Sequence, residues 1–263
     1  MTKDVGFERT LLLTYWIQNI MNILCVIPSR IGSTRLARKP LLLIQGKPMI
    51  QMVYEKASQC KILSKVVVAT DSEEIAAVIK NCGGNVEFTS SDLQTGTDRV
   101  AAVAKKHTDA DIVINLQGDE PFIKPKMLEQ LVAPYLAGER PEMTTLAYKL
   151  NMPEEFNDPG VVKVITDLNH NALYFSRSPI PYFRSKSQEN LPVVHHHMGL
   201  YAFRRDFLLH YTTLPQTPLE ITEALEQLRA LEHGHKIRVC LTEEKTLEIN
   251  TAEDLAKAQN FKF

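Results

Sequence analysis

Compact apolar runs, each followed by polar and turn-prone residues, recur through the first half of the chain. Residues 23–27, 66–69, 86–88 and 112–116 read as strands. Their near-continuous apolar, β-branched character suits strands covered on both faces. Pro28 is expected to end the first, because proline cannot donate to a ladder. Helical spacing fills the intervals. Pro48 opens a helix over 49–59, with Met49, Met52, Val53 and Ala57 near one face. The next helix runs to about Lys80, capped by Thr70 or Asp71 with Glu74 in capping-box position, and stops at Gly83-Gly84. The polar loop from Ser90 becomes a helix to Lys106, with Thr97 as its cap and Arg99 on its charged face. A fourth helix spans 126–136. Alternation of this kind predicts an α/β fold: a mostly parallel central sheet covered by helices.

The pattern changes after Gly138. Residues 143–150, 161–165, 172–175 and 195–203 read as strands joined by turns, with Asn169 in a hairpin turn and 185–191 as an exposed loop. This half predicts a smaller, partly antiparallel lobe or dimerisation arm. A helix over 222–232, with Ala224, Leu225, Leu228 and Leu231 as its stripe, a strand over 237–241 and a helix over 251–258 complete the chain.

Composition narrows the class. A 263-residue chain can hold one large α/β core or two modest domains. Its formal net charge of -1 argues against a nucleic-acid binder while leaving room for a local cationic pocket. The four cysteines are widely separated, without CxxC spacing, which suits free thiols in a reducing compartment. No run of ~20 apolar residues suggests a membrane span. Residues 1–20 carry Leu11, Leu12, Leu13, Trp16 and Ile17, broken by Asp4, Glu8 and Arg9. They fit a signal peptide poorly. They read equally as a short amphipathic helix on the domain or as an extension upstream of Met21, with no catalytic role. Residues 21–263 then form a single domain.

The candidate chemistry gathers where strands end. The first strand feeds a loop holding Arg30, Arg35, Arg38 and Lys39 around Gly32, Ser33 and Thr34, a composition suited to phosphates. It matches neither the GxxxxGK[ST] nor the GxGxxG pattern. Asp119, at the carboxyl end of the fourth strand, is placed for Mg²⁺, which favours oxygen ligands shared with substrate phosphates. Glu120 precedes a proline and takes a structural or hydrogen-bonding role. Of His195, His196 and His197, neighbours on a strand point to opposite faces, so zinc finds no third ligand. Ligands of such sheets bind beyond the strands' carboxyl ends, where the basic loop, residues 94–99 and Asp119 all fall.

The order of these pieces resembles a known family, the 3-deoxy-manno-octulosonate (Kdo) cytidylyltransferases. The resemblance rests on Ile27-Pro28-Ser29-Arg30 with Ser33-Thr34-Arg35-Leu36, Gly46-Lys47-Pro48-Met49-Ile50, Val68-Ala69-Thr70-Asp71 and Gln94-Thr95-Gly96-Thr97-Asp98-Arg99. It continues through Asn115-Leu116-Gln117-Gly118-Asp119-Glu120-Pro121, Ala172 to Arg177, His197-Met198-Gly199-Leu200-Tyr201 and Glu226-Gln227-Leu228-Arg229. It implies a nucleotide-diphospho-sugar transferase type of fold and a cytoplasmic, Mg²⁺-dependent homodimer. The implied reaction couples CTP to Kdo for lipopolysaccharide synthesis, giving CMP-Kdo and pyrophosphate. By the same resemblance Arg30, Arg35 and Lys39 contact the triphosphate, and Gln94, Gly96 and Thr97 lie in the nucleotide pocket. Asp119 binds the metal, and Arg177, His197, Tyr201, Glu226 and Gln227 face the sugar acid, in a lobe formed largely by residues 140–205.

Three departures from the family pattern stand out. Ala37-Arg38 replaces a proline-glycine pair, changing loop stiffness and adding a charge near the phosphates. His196 replaces an arginine. Asn250 replaces an aspartate that serves as the second metal ligand, which predicts weaker metal affinity or a modified substrate such as 8-amino-Kdo. A cytidylyltransferase for a different sugar acid, such as a nonulosonic acid, and a non-catalytic CTP-binding protein are the alternatives.

Overall fold

The computed structural model describes residues 21–32, 36–151, 153–185 and 194–261. The expectations for residues 1–20, for Arg35 and for nearly all of the 185–191 loop lie outside the described residues. In chain order the elements are β1 (Ile23–Ser29), a 3-10 turn (Lys39–Leu41), β2 (Leu43–Ile44), β3 (Lys47–Pro48), α1 (Met49–Ser58), β4 (Lys65–Thr70), α2 (Glu73–Asn81), β5 (Val86–Phe88) and α3 (Gly96–Lys106). Next come β6 (Ile112–Asn115), α4 (Pro125–Leu136), β7 (Met143–Lys149), β8 (Lys163–Thr166), β9 (Ala172–Ser176) and β10 (Val194–Arg204). The chain closes with α5 (Arg205–Tyr211), α6 (Pro218–Glu223), α7 (Leu228–Glu232), β11 (Ile237–Thr242) and α8 (Ala252–Gln259).

β1 lies at the centre, parallel to β4 on one side and β6 on the other. The main sheet runs β11-β7-β10-β6-β1-β4-β5, with β8 attached to β10 and β9 to β8. β10 is antiparallel to β6, β7 and β8, so the second half forms the antiparallel part. Strand alternation sends Ile23, Cys25 and Ile27 to one face, against α1, α2 and α4. Leu24 and Val26 face the other way, against α3, α5 and α7. The sheet is thus covered on both sides, which explains the unbroken apolar runs.

Four local expectations are corrected. Pro28 does not end β1: the strand continues to Ser29, paired with β4, because the β6 ladder stops at Val26 and that side needs no further donor there. Ser72 caps α2 by accepting from the Ile75 amide, not Thr70 or Asp71. α3 begins at a capping box between Thr95 and Asp98, two residues earlier than expected, which turns Thr97 and Arg99 inward. The single helix over 222–232 is instead two short ones. The Thr217 amide donates to Glu220 Oε2 at 3.2 Å and the start moves to Pro218, and Ala224 leaves the helix at φ 51°. α5 was not legible as a separate helix.

Candidate active site

β1 and β6 are parallel neighbours, so they release their loops at the same sheet edge. A cavity of about 320 Å³ opens there. Arg30, Gly32 and Lys39 line it from the loop after β1, Gln94 and Gly96 from the start of α3, Asp119 from the turn after β6, and Asn250 from the segment before α8. Gly118 lets that turn approach β1: a Cβ there would lie 3.2 Å from the Pro28 carbonyl oxygen.

Lys39 joins the two expected metal ligands. Its Nζ donates to Asp119 Oδ2 at 2.6 Å and to Asn250 Oδ1 at 3.2 Å. Asp119 Oδ1 is buried with no hydrogen-bond partner. An orphaned carboxylate oxygen, with an amide oxygen that shares the same lysine, at a cavity lined by cationic side chains, fits Mg²⁺. Among the described residues no three His, Cys, Asp or Glu side chains converge on a metal position. Phosphate oxygens and water must then complete such a site.

The strap carrying Asn250 is fixed by two bonds and a small core. The Ile249 amide donates to the Asp119 carbonyl at 3.1 Å, and the Thr246 hydroxyl donates to Glu120 Oε2 at 2.8 Å. Ile249 packs with Ile44, Met49 and Phe122. Burial, with Glu248 and Asp119 nearby, pushes the Glu120 carboxyl up to about 8. Glu120 is therefore buried and hydrogen-bonded to Thr246, a structural and hydrogen-bonding role as expected.

Arg38 does not add charge to the phosphates. Both terminal nitrogens of its guanidinium donate to the Glu74 carboxylate on the surface. It holds a left-handed backbone at φ 56°, the conformation for which the family's glycine is suited. Arg99 does reach the cavity. Only 3% exposed, it is anchored by Asp71 at 3.1 Å and by the Thr89 hydroxyl. Its fixed charge was missed; the signal was Asp71 and Arg99, each the last residue of a family motif.

Four of the five residues expected at the sugar acid fall into one neighbourhood. Two extra residues in β10, between Met198 and Tyr201, interrupt its pairing with β7. An even insertion keeps His197 and Tyr201 on one face, and their ring centroids lie 5.6 Å apart. The Tyr201 hydroxyl donates to Gln227 Oε1 at 3.0 Å. Gln227 Nε2 and Glu226 Oε1 are buried and unpartnered. Burial holds the Glu226 carboxyl up at about 7 and pushes the His197 imidazole down to about 3, so His197 is neutral near pH 7. Its Nε2 lies 2.9 Å from the Thr145 hydroxyl.

Two assigned residues stand apart. Arg177 donates Nε to the Glu223 carbonyl and a terminal nitrogen to the Pro159 carbonyl, so its guanidinium ties β9 to α6. Thr97 is only 3% exposed and lies behind the nucleotide cavity rather than on its wall. It bridges Asn115, whose Nδ2 donates to it, and Glu226, whose Oε2 accepts from it, both at 3.1 Å.

A cationic cavity at parallel strand ends, facing an orphaned carboxylate, defines a nucleotidyltransferase, and the cytidylyltransferase family pattern matches residues 24–237. The 3-deoxy-manno-octulosonate cytidylyltransferase of Acaryochloris marina is 56% identical over 92% of this chain and 97% of its own length. That of Synechococcus elongatus is 48% identical over 91% of this chain and 97% of its own. A solved CMP:2-keto-3-deoxy-manno-octonic acid synthetase complexed with CTP superposes with a TM-score of 0.85 at 41% identity, over 91% of this chain and 97% of that one. A 4-diphosphocytidyl-2C-methyl-D-erythritol synthase from Anaerococcus prevotii shares the fold alone, with a TM-score of 0.65 at 14% identity. The chain belongs to the 3-deoxy-manno-octulosonate cytidylyltransferase family.

Proposed function

We propose that the protein couples CTP to Kdo, giving CMP-Kdo and pyrophosphate. The observation that carries this reading is the pairing of two adjacent sites. One is the cavity with Arg30, Lys39, Arg99 and Asp119. The other is the Tyr201, Gln227 and Glu226 cluster, joined to it through Thr97. The anomeric C2 hydroxyl oxygen of Kdo attacks the α-phosphorus of CTP. The new O–P bond forms as the bond to the bridging oxygen breaks, pyrophosphate leaves with that electron pair, and the hydroxyl proton passes to solvent. Arg30, Lys39 and Arg99 offset charge on the phosphates, and the two sites hold the reactants in line. Mg²⁺, held by Asp119 and Asn250, would add Lewis-acid stabilisation of phosphoryl oxygens.

A cytoplasmic homodimer belongs to the same proposal. Leu173 on β9 and Ile221 on α6 are 60% and 65% exposed, and these two elements are joined by the Ser176 to Glu223 bond. Light scattering on wild type and on Leu173→Glu/Ile221→Glu should give a dimer and a monomer; a monomeric wild type contradicts it.

Pyrophosphate release, measured with CTP, UTP and ATP against Kdo, 8-amino-Kdo and a nonulosonic acid, tests the substrates. The expected result is release with CTP plus Kdo. Release only with a different nucleotide or sugar acid would overturn the assignment.

A further inference from the structure

Gln117, Asn115, Thr97 and Glu226 form a continuous row of side-chain hydrogen bonds. Gln117 Nε2 donates to Asn115 Oδ1 at 3.0 Å. Asn115 Nδ2 donates to Thr97 Oγ1 at 3.1 Å, and Thr97 Oγ1 donates to Glu226 Oε2 at 3.1 Å. Its first member lines the nucleotide cavity. Its last belongs to the sugar-acid neighbourhood, where Glu226 Oε1 is buried and unpartnered. The two middle members are buried, at 0% and 3% exposure, out of reach of water.

Every bond in this row points the same way. A carboxylate at Glu226 only accepts, so the Thr97 hydrogen must face it. The Thr97 oxygen then accepts from the Asn115 amide nitrogen. That leaves the Asn115 oxygen toward Gln117 and requires the Gln117 nitrogen to face back. The Gln117 oxygen is thereby turned to the cavity, where it lies 3.8 Å from the place a Cβ on Gly96 would occupy. Turning one amide over would set donor against donor, so orientation passes along the row.

We infer that this row couples the two substrates: a sugar acid engaging Glu226 fixes the Gln117 amide and so tightens the nucleotide's binding. Asn115 and Thr97 are then positioning residues that touch neither substrate. The carboxyl of Glu226 sits near its midpoint at neutral pH in the free protein, with Arg229, Asp98 and Glu220 close by, so the orientation of the row is not locked before the sugar acid arrives. The coupling rests on the proposed reaction for the identity of its ligands.

The test is calorimetric binding of α,β-methylene-CTP, in which the reacting bond cannot break, with and without saturating Kdo. Wild type should bind it at least about fivefold tighter with Kdo present, the lower end of ordinary coupling. In Thr97→Val the ratio should fall to one, and Thr97→Ser should restore it, which a loss of packing alone would not predict. Gln117→Met, at a partly exposed position, removes the last link if the valine variant does not fold, and its ratio should also be one. A wild-type ratio of one, or a coupled ratio surviving in a folded Thr97→Val or Gln117→Met, overturns the inference. Failure of the reaction itself is read separately, as no CMP-Kdo from wild type with CTP and Kdo.

Discussion

Asn250 stands at the candidate metal position where the family pattern leads one to expect an aspartate. It offers an amide oxygen where a carboxylate is expected, and Lys39 bonds to it and to Asp119. One carboxylate must then face both Lys39 and any bound cation. Asn250→Asp should lower the Mg²⁺ concentration for half-maximal activity by roughly threefold to tenfold, since ligand charge sets affinity for hard cations. An Mg²⁺ titration of both proteins checks this; equal midpoints contradict it. At this scale much of the site was legible. Arg30, Lys39, Gln94, Gly96, Asp119 and Asn250 all reach the cavity wall because each sits in a loop, a turn or a helix start at one sheet edge. Thr97 was misplaced for a local reason. Thr95 competes for the same capping role, and a two-residue shift in a helix start turns a side chain from the wall to the interior.

The break at Ala224 governs how Glu226 and Gln227 are presented. The Ala224, Leu225, Leu228 and Leu231 stripe satisfies helical periodicity, so a continuous helix was the natural reading. Tertiary contacts decide otherwise. Arg229 donates to both Glu220 oxygens, at 2.9 and 2.6 Å, folding α7 back on α6, and the Tyr211 hydroxyl donates to the Glu226 carbonyl at 2.7 Å. This pair is almost fully buried, so removing one partner leaves a stranded charge. Arg229→Ala should destabilise the fold by about 3–5 kcal/mol, measured by urea denaturation. Ala224→Gly should be neutral or stabilising by up to about 1 kcal/mol, because glycine takes φ 51° without strain. A clear loss of stability in Ala224→Gly would contradict the conformation assigned to the break.

At the scale of the whole molecule, the main sheet has a parallel half that builds the cationic cavity and a mostly antiparallel half that carries the His197 and Tyr201 cluster, with β2 and β3 forming a separate two-stranded sheet. The alternation of strands and helices made the first half predictable. The bulge in β10 and the crossing of β11 to pair with β7 depend on long-range contacts that no local pattern encodes. Stability as a function of pH follows from the antiparallel half. Burial holds the His196 and His197 imidazoles at about 4 and about 3. The unfolded chain binds protons at these histidines from about pH 6.5 downward, while the folded chain resists. Their contribution is therefore full above pH 6.5 and is lost as the pH falls toward 4 and 3, at roughly 1–3 kcal/mol per pH unit. The buried Glu120 and Glu226 carboxyls, held up at about 8 and about 7, act in the opposite sense, so the histidine contribution is read as a difference. In denaturation curves from pH 7 to 4 the wild type should lose stability relative to a folded His196→Gln variant, and parallel curves contradict the assignment. No helix among the described residues is long and apolar enough to cross a membrane. The central claim, that both halves serve one transfer from CTP to Kdo, is tested most directly by ³¹P NMR of wild-type protein with CTP, Kdo and Mg²⁺. The account predicts a phosphodiester resonance of CMP-Kdo growing in step with pyrophosphate, and neither without Kdo. Unchanged CTP, or pyrophosphate without a CMP-sugar, would contradict it.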